Sequence, residues 1–181
     1  MTDQACMVET PSGIAPGSEG WFVVNVRDAA WSTSDTFGSA CDFEGRARFP
    51  HLGVNIRVLR PGQSAGLYHS ESEQECLLVL SGECLLLVEG EEHVLRAWDF
   101  VHSPPGTEHA VMGLGEDPCI ILMCGSRRGE TAFDYPVRSV ALRHGVGVIT
   151  PTRSGAEAYA RAGSAPLRAE RPRGWERLPW S

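Results

Sequence analysis

The sequence predicts an all-β fold, a small antiparallel β-barrel. Three observations carry that prediction. Short apolar runs of strand length recur through the middle of the chain, from Val54–Leu59 to Cys119–Cys124. Gly- and Pro-containing turns separate them, at Pro61-Gly62, Ser81-Gly82, Glu89-Gly90 and Pro104-Pro105-Gly106. No long helical pattern alternates with the strands, so a parallel βαβ sheet is excluded.

Residues 1–20 are rich in Gly, Pro, Ser and Thr and read as a loose leader. Trp21–Val26 is a short β-like run. Residues 27–50 set single aromatics (Trp31, Phe37, Phe43, Phe49) among small polar groups, an irregular segment that pins those rings to the barrel. The acids Asp35, Asp42 and Glu44 fall here and read as a solvated face. Val54–Leu59 is a strand. Glu75–Leu80 and Glu83–Val88 read as a hairpin about Ser81-Gly82. That hairpin sets Val79 opposite Cys84, Leu77 opposite Leu86 and Glu75 opposite Val88. Glu75 then points into the interior lined by Leu77 and Val79, where a carboxylate needs a partner. His93–Leu95, Trp98–His102, His109–Met112 and Cys119–Cys124 are further strands. Ala156–Ala162 suits one or two helical turns. The sequence shows no internal repeat, so one barrel domain spans 21–150 and a C-terminal arm spans 151–181. The arm carries six Arg against three Glu and runs Arg-, Pro- and Trp-rich from Pro166, with Trp175 and Trp180. An arm of that composition is expected to dock on an acidic body, its own or a neighbour's.

The chain has 181 residues, 42% of them hydrophobic, enough for one domain with a sizeable core. Net charge is −7, and all sixteen basic residues are Arg, a balance that argues against nucleic acid as a partner. No apolar run reaches the roughly 18 residues a membrane span needs. The N-terminus lacks a basic, apolar signal pattern, so a cytoplasmic location is expected. The six Cys form no C-x-x-C pair and read as buried thiols in a reducing compartment.

The chemistry concentrates between Gly62 and His109. Gly62 is followed after six residues by His69-Ser70-Glu71, after three more by Glu75, and after six more by Gly82. Trp98 is followed after five residues by Pro104-Pro105-Gly106, after two more by His109, and after three more by Gly113. Imidazole and carboxylate donors together suit one divalent ion such as Zn, Fe, Mn or Ni. These two stretches resemble the paired signature motifs of the cupin superfamily. Glu71 stands where the second histidine of the first motif usually stands. Trp98 replaces a glycine of the second motif, and Gly113 replaces its asparagine.

The resemblance implies a double-stranded β-helix, or jelly roll, in a homodimer. It implies His69, Glu71, Glu75 and His109 as metal ligands. It also implies a metal-dependent activity on a small oxygen-bearing molecule, of oxygenase, isomerase or lyase type. A non-catalytic small-molecule or sugar-binding protein is the alternative. Tyr68 points away from His69 by strand parity and takes no catalytic role. His51, His93 and His102 lie outside the motif positions and read as peripheral.

Overall fold

A computed structural model describes residues 3–46, 48–163 and 167–180. Pro166, where the Arg-rich run begins, and the side chain of Trp175 lie outside what is described. Among the described residues the strands are β1 (Met7–Thr10), β2 (Gly13–Pro16), β3 (Ser32–Ser34), β4 (Gly38–Cys41), β5 (Leu52–Leu59), β6 (Ser70–Glu71) and β7 (Glu75–Ser81). They continue with β8 (Glu83–Val88), β9 (Glu91–Arg96), β10 (Phe100–Ser103), β11 (His109–Leu114), β12 (Cys119–Ser126) and β13 (Phe133–Asp134). Two short helices follow, α1 (Ser139–Arg143) and α2 (Gly155–Arg161).

The all-β prediction holds. Six strands form one sheet in the order β10-β7-β12-β5-β4-β3, and three form another in the order β11-β8-β9. All these pairings are antiparallel. The two sheets pack face to face as a sandwich without closing into one continuous barrel. Strand alternation explains the layers. Leu59, Leu77, Val79 and Ile121 of the larger sheet meet Cys84 and Val111 of the smaller one in the central core. On the outer face of the larger sheet, Ile56, Val58 and Ile120 pack against Trp31 and Leu178. On the far side of the smaller sheet, Leu87, Ala110 and Met112 are covered by Val140 and Ala141 of α1.

The predicted hairpin at Ser81-Gly82 does not form. β7 pairs with β10 and β12, whereas β8 pairs with β9 and β11. Gly82, at φ 76, carries the chain from one sheet to the other. A Cβ there would stand 2.8 Å from the Pro118 carbonyl oxygen. Two consecutive strands that both bury one face can sit on opposite layers of a sandwich, and a turn signal alone does not separate that corner from a hairpin. Glu75 therefore opposes Ser103 and Gly125, not Val88. It still shares the inward face of β7 with Leu77 and Val79, because parity along its own strand is unchanged. The true tight hairpin joins β8 to β9 through Glu89 (φ 50) and Gly90 (φ 86), the paired positive φ of a type I′ turn.

Other elements depart from the sequence reading. Residues 7–16, within the expected loose leader, form the β1–β2 hairpin. The Trp21–Val26 run makes only the Gln4–Trp21 bridge and no strand. The acid cluster is divided: Glu44 is a buried partner of Arg127, while Asp35 holds the C-terminal arm. Arg168 brackets both Asp35 carboxylate oxygens at 3.1 Å. Its backbone exchanges hydrogen bonds with Thr33 of the edge strand β3 at 2.8 and 2.9 Å. Trp180 stacks on Trp31 with ring centroids 5.5 Å apart. The arm thus lies on this chain's own body.

The two smaller motif departures have local causes. Trp98 takes the left-handed φ of 77 that a glycine would take freely, with its side chain exposed. Gly113 lies against the backbone of the β5–β6 connection, donating to the Gln63 carbonyl at 2.8 Å and accepting from the Gly62 amide at 3.0 Å. A Cβ at Gly113 would meet the Arg60 carbonyl oxygen at 2.3 Å, and that backbone atom has no rotamer by which to yield. Gly113→Ala should therefore destabilise the fold by about 1–3 kcal/mol. Gly129→Ala, with open space around it, should stay within about 0.5 kcal/mol. Denaturant unfolding of the two variants beside the parent checks the contrast; equal stabilities would remove the steric account.

Candidate metal centre

The site starts from a backbone contact. His69, just before β6, and His109, at the start of β11, form an antiparallel bridge. His69 N–H donates to the His109 carbonyl at 3.1 Å and His109 N–H to the His69 carbonyl at 2.8 Å. Side chains of such directly opposed residues leave the same face, and the two imidazole centroids lie 5.2 Å apart. Each ring is turned by a carbonyl two residues earlier in the chain. His69 Nδ1 is 2.7 Å from the Leu67 oxygen, and His109 Nδ1 is 3.1 Å from the Thr107 oxygen. A carbonyl only accepts, so both Nδ1 atoms carry hydrogen in the neutral rings. Both Nε2 lone pairs then face the cavity, the arrangement by which metal-ligating histidines are usually oriented.

Glu75, first residue of β7, completes the group. Its carboxylate comes forward over Gly125, where a Cβ would touch Glu75 Oε1 and Cγ at 3.6 Å. Glu75 Oε2 lies 2.9 Å from His109 Nε2, yet it is buried and receives no hydrogen bond. Two lone pairs facing each other at that distance repel unless a cation or a proton sits with them. Two ligands at about 2.1 Å from one ion, at right angles, stand about 3 Å apart, which matches the observed edge. His69, Glu75 and His109 each offer a ligand atom within 4.8 Å of the other two, so this group could hold an ion.

Charge within the group is strongly coupled. Burial pulls the His69 imidazole below its usual range, and His109 adds to that. Burial also acts to lower His109, but the Glu75 carboxylate outweighs it and holds His109 above the usual range. Glu75 resists its own burial through His109 and Glu71 and stays ionised to low pH. Glu71, on β6, lies against Glu75. Burial and the Glu75 carboxylate push its carboxyl up to about 9. One proton is thus held between the two acids, on the Glu71 side.

Of the four residues the motifs nominate, the structure brings three together and sets Glu71 beside them, in contact with Glu75. Glu73 turns away to accept from the Ser126 hydroxyl. His102 faces Cys76 on the opposite side of β7, and His93 pairs with Glu91 at the surface. Tyr68 does point away; it is fully buried beside Leu87 and Ala110.

The group opens into a cavity of about 1000 Å³. Its walls differ from the sequence reading. Leu77, Val79 and Cys84 lie in the close-packed core beneath, while Leu67, Val111 and Met123 supply apolar wall. Three aromatic residues went unseen. Tyr135 stacks on the His69 ring at 5.5 Å, Phe133 lies 5.9 Å from it, and Tyr159 of α2 presents its hydroxyl to the Leu67 amide. All three come from beyond Gly125, where no motif spacing reaches.

Glu71 generates a pH prediction for metal-free protein. Its folded pKa is raised, so its stabilising contribution is complete below about 4.5 and is lost as pH rises through about 9. The thermal midpoint should fall across that window, and Glu71→Gln should flatten the fall. Glu75, whose folded pKa is depressed, acts only in the opposite, acid window. Parallel pH profiles for the two proteins would show that Glu71 titrates normally.

Residues 55–125 match the cupin domain family. Among solved structures, a sugar phosphate isomerase from a cupin superfamily, from Silicibacter pomeroyi, is 18% identical. It aligns over 73% of this chain and 92% of its own, with a TM-score of 0.57. A candidate sugar phosphate isomerase of Acidithiobacillus ferrooxidans is 30% identical over 48% of this chain, with a TM-score of 0.46; the aligned part spans only 56% of that protein. KdgF of Halomonas sp. is 22% identical over 55% of this chain and 88% of its own, with a TM-score of 0.46. No curated protein matches the chain. Among the described residues no helix is long and apolar enough to cross a membrane. Residues 55–125 thus match a cupin domain, and the sandwich built around them shares the fold of the Silicibacter pomeroyi protein.

Proposed function

We propose that this cupin is a metal-dependent protein acting on a small oxygen-bearing molecule, with His69, Glu75 and His109 as ligands to one divalent ion. The observation that carries the reading is the buried Glu75 Oε2, which nothing donates to and which faces an Nε2 lone pair at 2.9 Å. A cation removes that conflict and uses all three donors. A set of two imidazoles and one carboxylate suits Zn, Fe, Mn or Ni and leaves positions for a small ligand. Such an ion, when bound, supplies a Lewis acid for a ligand oxygen.

The remaining chemistry belongs to the protein. Leu67, Val111, Phe133 and Tyr135 give the cavity an apolar wall on the ligand side of the group. The stack of Tyr135 on His69 and the carbonyl behind each Nδ1 hold the imidazoles in place. Glu71 keeps a proton next to Glu75 at neutral pH. Positive charge at the group would draw that proton off and leave Glu71 as a fourth ligand or as an acid–base group. A carboxyl that can gain or lose a proton beside the group suits proton-transfer chemistry, of isomerase or lyase type. The homodimer that the family resemblance implies belongs to the same proposal, and mass in solution tests it.

Protein purified without chelator or affinity tag should contain close to one divalent ion per chain by elemental analysis. His109→Ala should lose it while keeping its circular-dichroism spectrum; full occupancy in that variant would overturn the assignment. Glu71→Gln should weaken binding and Glu73→Gln should not, since Glu73 is engaged with Ser126. The histidines bind metal only when neutral. His109 is held above the usual imidazole range, so affinity should begin to fall above about pH 6.5 as acid is added. His69, held below that range, should protonate later. Metal affinity that is flat from pH 8 to 5 would exclude histidine ligation. Apo protein loaded in turn with Fe(II), Mn(II), Ni(II) and Zn(II) should turn over one class among hydroxy acids, keto sugars and diketones. Tight binding without turnover in every form would assign the chain to the non-catalytic alternative.

A further inference from the structure

Arg57 is the one charged residue of β5, and alternation directs it inward with Gly53 and Asn55. Ile56 and Val58, on the other parity, are in the outer core. Arg57 therefore lines the same cavity as His69, Glu75 and His109. A guanidinium offers five N–H donors. The bond it makes here is from Nε to the Asn55 side-chain oxygen at 3.1 Å. No carboxylate pairs with it among the described residues. Burial is the main influence on the group and pulls its pKa down; the Tyr159 hydroxyl and the acids Asp42 and Glu75 counter this only in part.

The other cavity arginines differ from it. Arg127 lies across Gly53 and is held by Glu44 and the Phe49 carbonyl. Arg48 lies 3.5 Å from the same Glu44. Arg128 is exposed at the rim. A chain of net charge −7 thus places four of its sixteen arginines around one cavity and leaves Arg57 without a paired carboxylate among the described residues. A partly buried cation with no paired carboxylate is costly, and a protein that keeps one usually neutralises it with what it binds.

We propose that Arg57 receives an anionic group, a carboxylate or a phosphate, of the small molecule whose oxygen end faces His69, Glu75 and His109. The proposal rests on the reading of this cavity as the small-molecule site and adds the class of ligand. The forked guanidinium matches two oxygens of either group at once. Asn55 holds Nε, which fixes the plane of the fork, and the terminal nitrogens remain for the ligand.

The test uses the full chain with its metal content measured in every preparation. The probes are succinate, inorganic phosphate and neutral erythritol, at ionic strength matched with sodium chloride and followed by calorimetry and thermal shift. The parent should bind succinate or phosphate and not erythritol, and the preferred anion distinguishes a carboxylate site from a phosphate site. Arg57→Gln should weaken that binding by about 10- to 100-fold and keep its metal. Arg128→Gln should change it by less than about threefold. If Arg57→Gln does not fold, Arg57→Lys, which keeps the charge and loses the fork, should still bind but about tenfold more weakly. Unchanged anion affinity in both Arg57 variants, an equal loss in Arg128→Gln, or a parent that binds neither anion would overturn the proposal. A parent that holds no metal yet shows the same Arg57 dependence would overturn the metal reading and leave this one standing.

Discussion

Two reciprocal hydrogen bonds between His69 and His109 hold the site together, at 3.1 and 2.8 Å. They join residues of different motifs, His69 just before β6 and His109 at the start of β11. They fix the spacing of the imidazoles through the backbone, so the side chains need only rotate into place. The carbonyls of Leu67 and Thr107 then decide which nitrogen faces the cavity. Glu75 arrives from the opposite sheet and meets a pre-set pair. The geometry that makes the group a metal candidate is therefore mostly a matter of main-chain pairing, and it is as stable as the sandwich itself.

The sheets carry unequal parts of this work. The smaller sheet supplies His109 from the start of β11 and is backed by the buried Tyr68, Leu87 and Met112. The larger sheet supplies Glu75, Arg57 and Asn55 from the inward faces of β7 and β5. Below them Leu59, Val79 and Ile121 close the interior with no room for a ligand. The cavity is thus the open end of a sandwich whose other end is packed solid. The segments after β12 cap the opening with aromatic rings, Phe133 and Tyr135 on the His69 side and Tyr159 from α2.

Much of this is legible in the sequence. Short strands between Gly and Pro turns point to the fold class, and the motif spacing nominates His69, Glu71, Glu75 and His109, of which three meet and Glu71 lies beside them. The inward direction of Glu75 survives the loss of the expected hairpin, because parity along β7 is the same whichever strand lies beside it. The sheet change at Gly82 was not legible. A turn signal marks where a chain reverses and says nothing of which layer it enters. Arg57 is a lone cation inside Val54–Leu59, and only its lack of a paired carboxylate among the described residues, a three-dimensional fact, gives it meaning. Tyr135 and Tyr159 lie beyond the motifs, and their contact with the site depends on how residues 127–161 fold back over it. Glu44 looked like part of a solvated acid cluster; its burial follows from Arg127, eighty-three residues away.

The bridge between Thr33 and Arg168 has a consequence for synthesis. β3 is the outermost strand of the larger sheet, and residues 168–180 cover its free edge and the Trp31 side of the core. The covering residues follow Asp35 by 133 positions. At roughly 5–20 residues per second, a ribosome leaves that edge and its apolar neighbour open for roughly 7–27 s after β3 is made. An uncovered strand edge is a template for pairing with other chains. The nascent protein is therefore most exposed to self-association in this interval, when the cavity residues are already translated and the segment that seals the sheet is not.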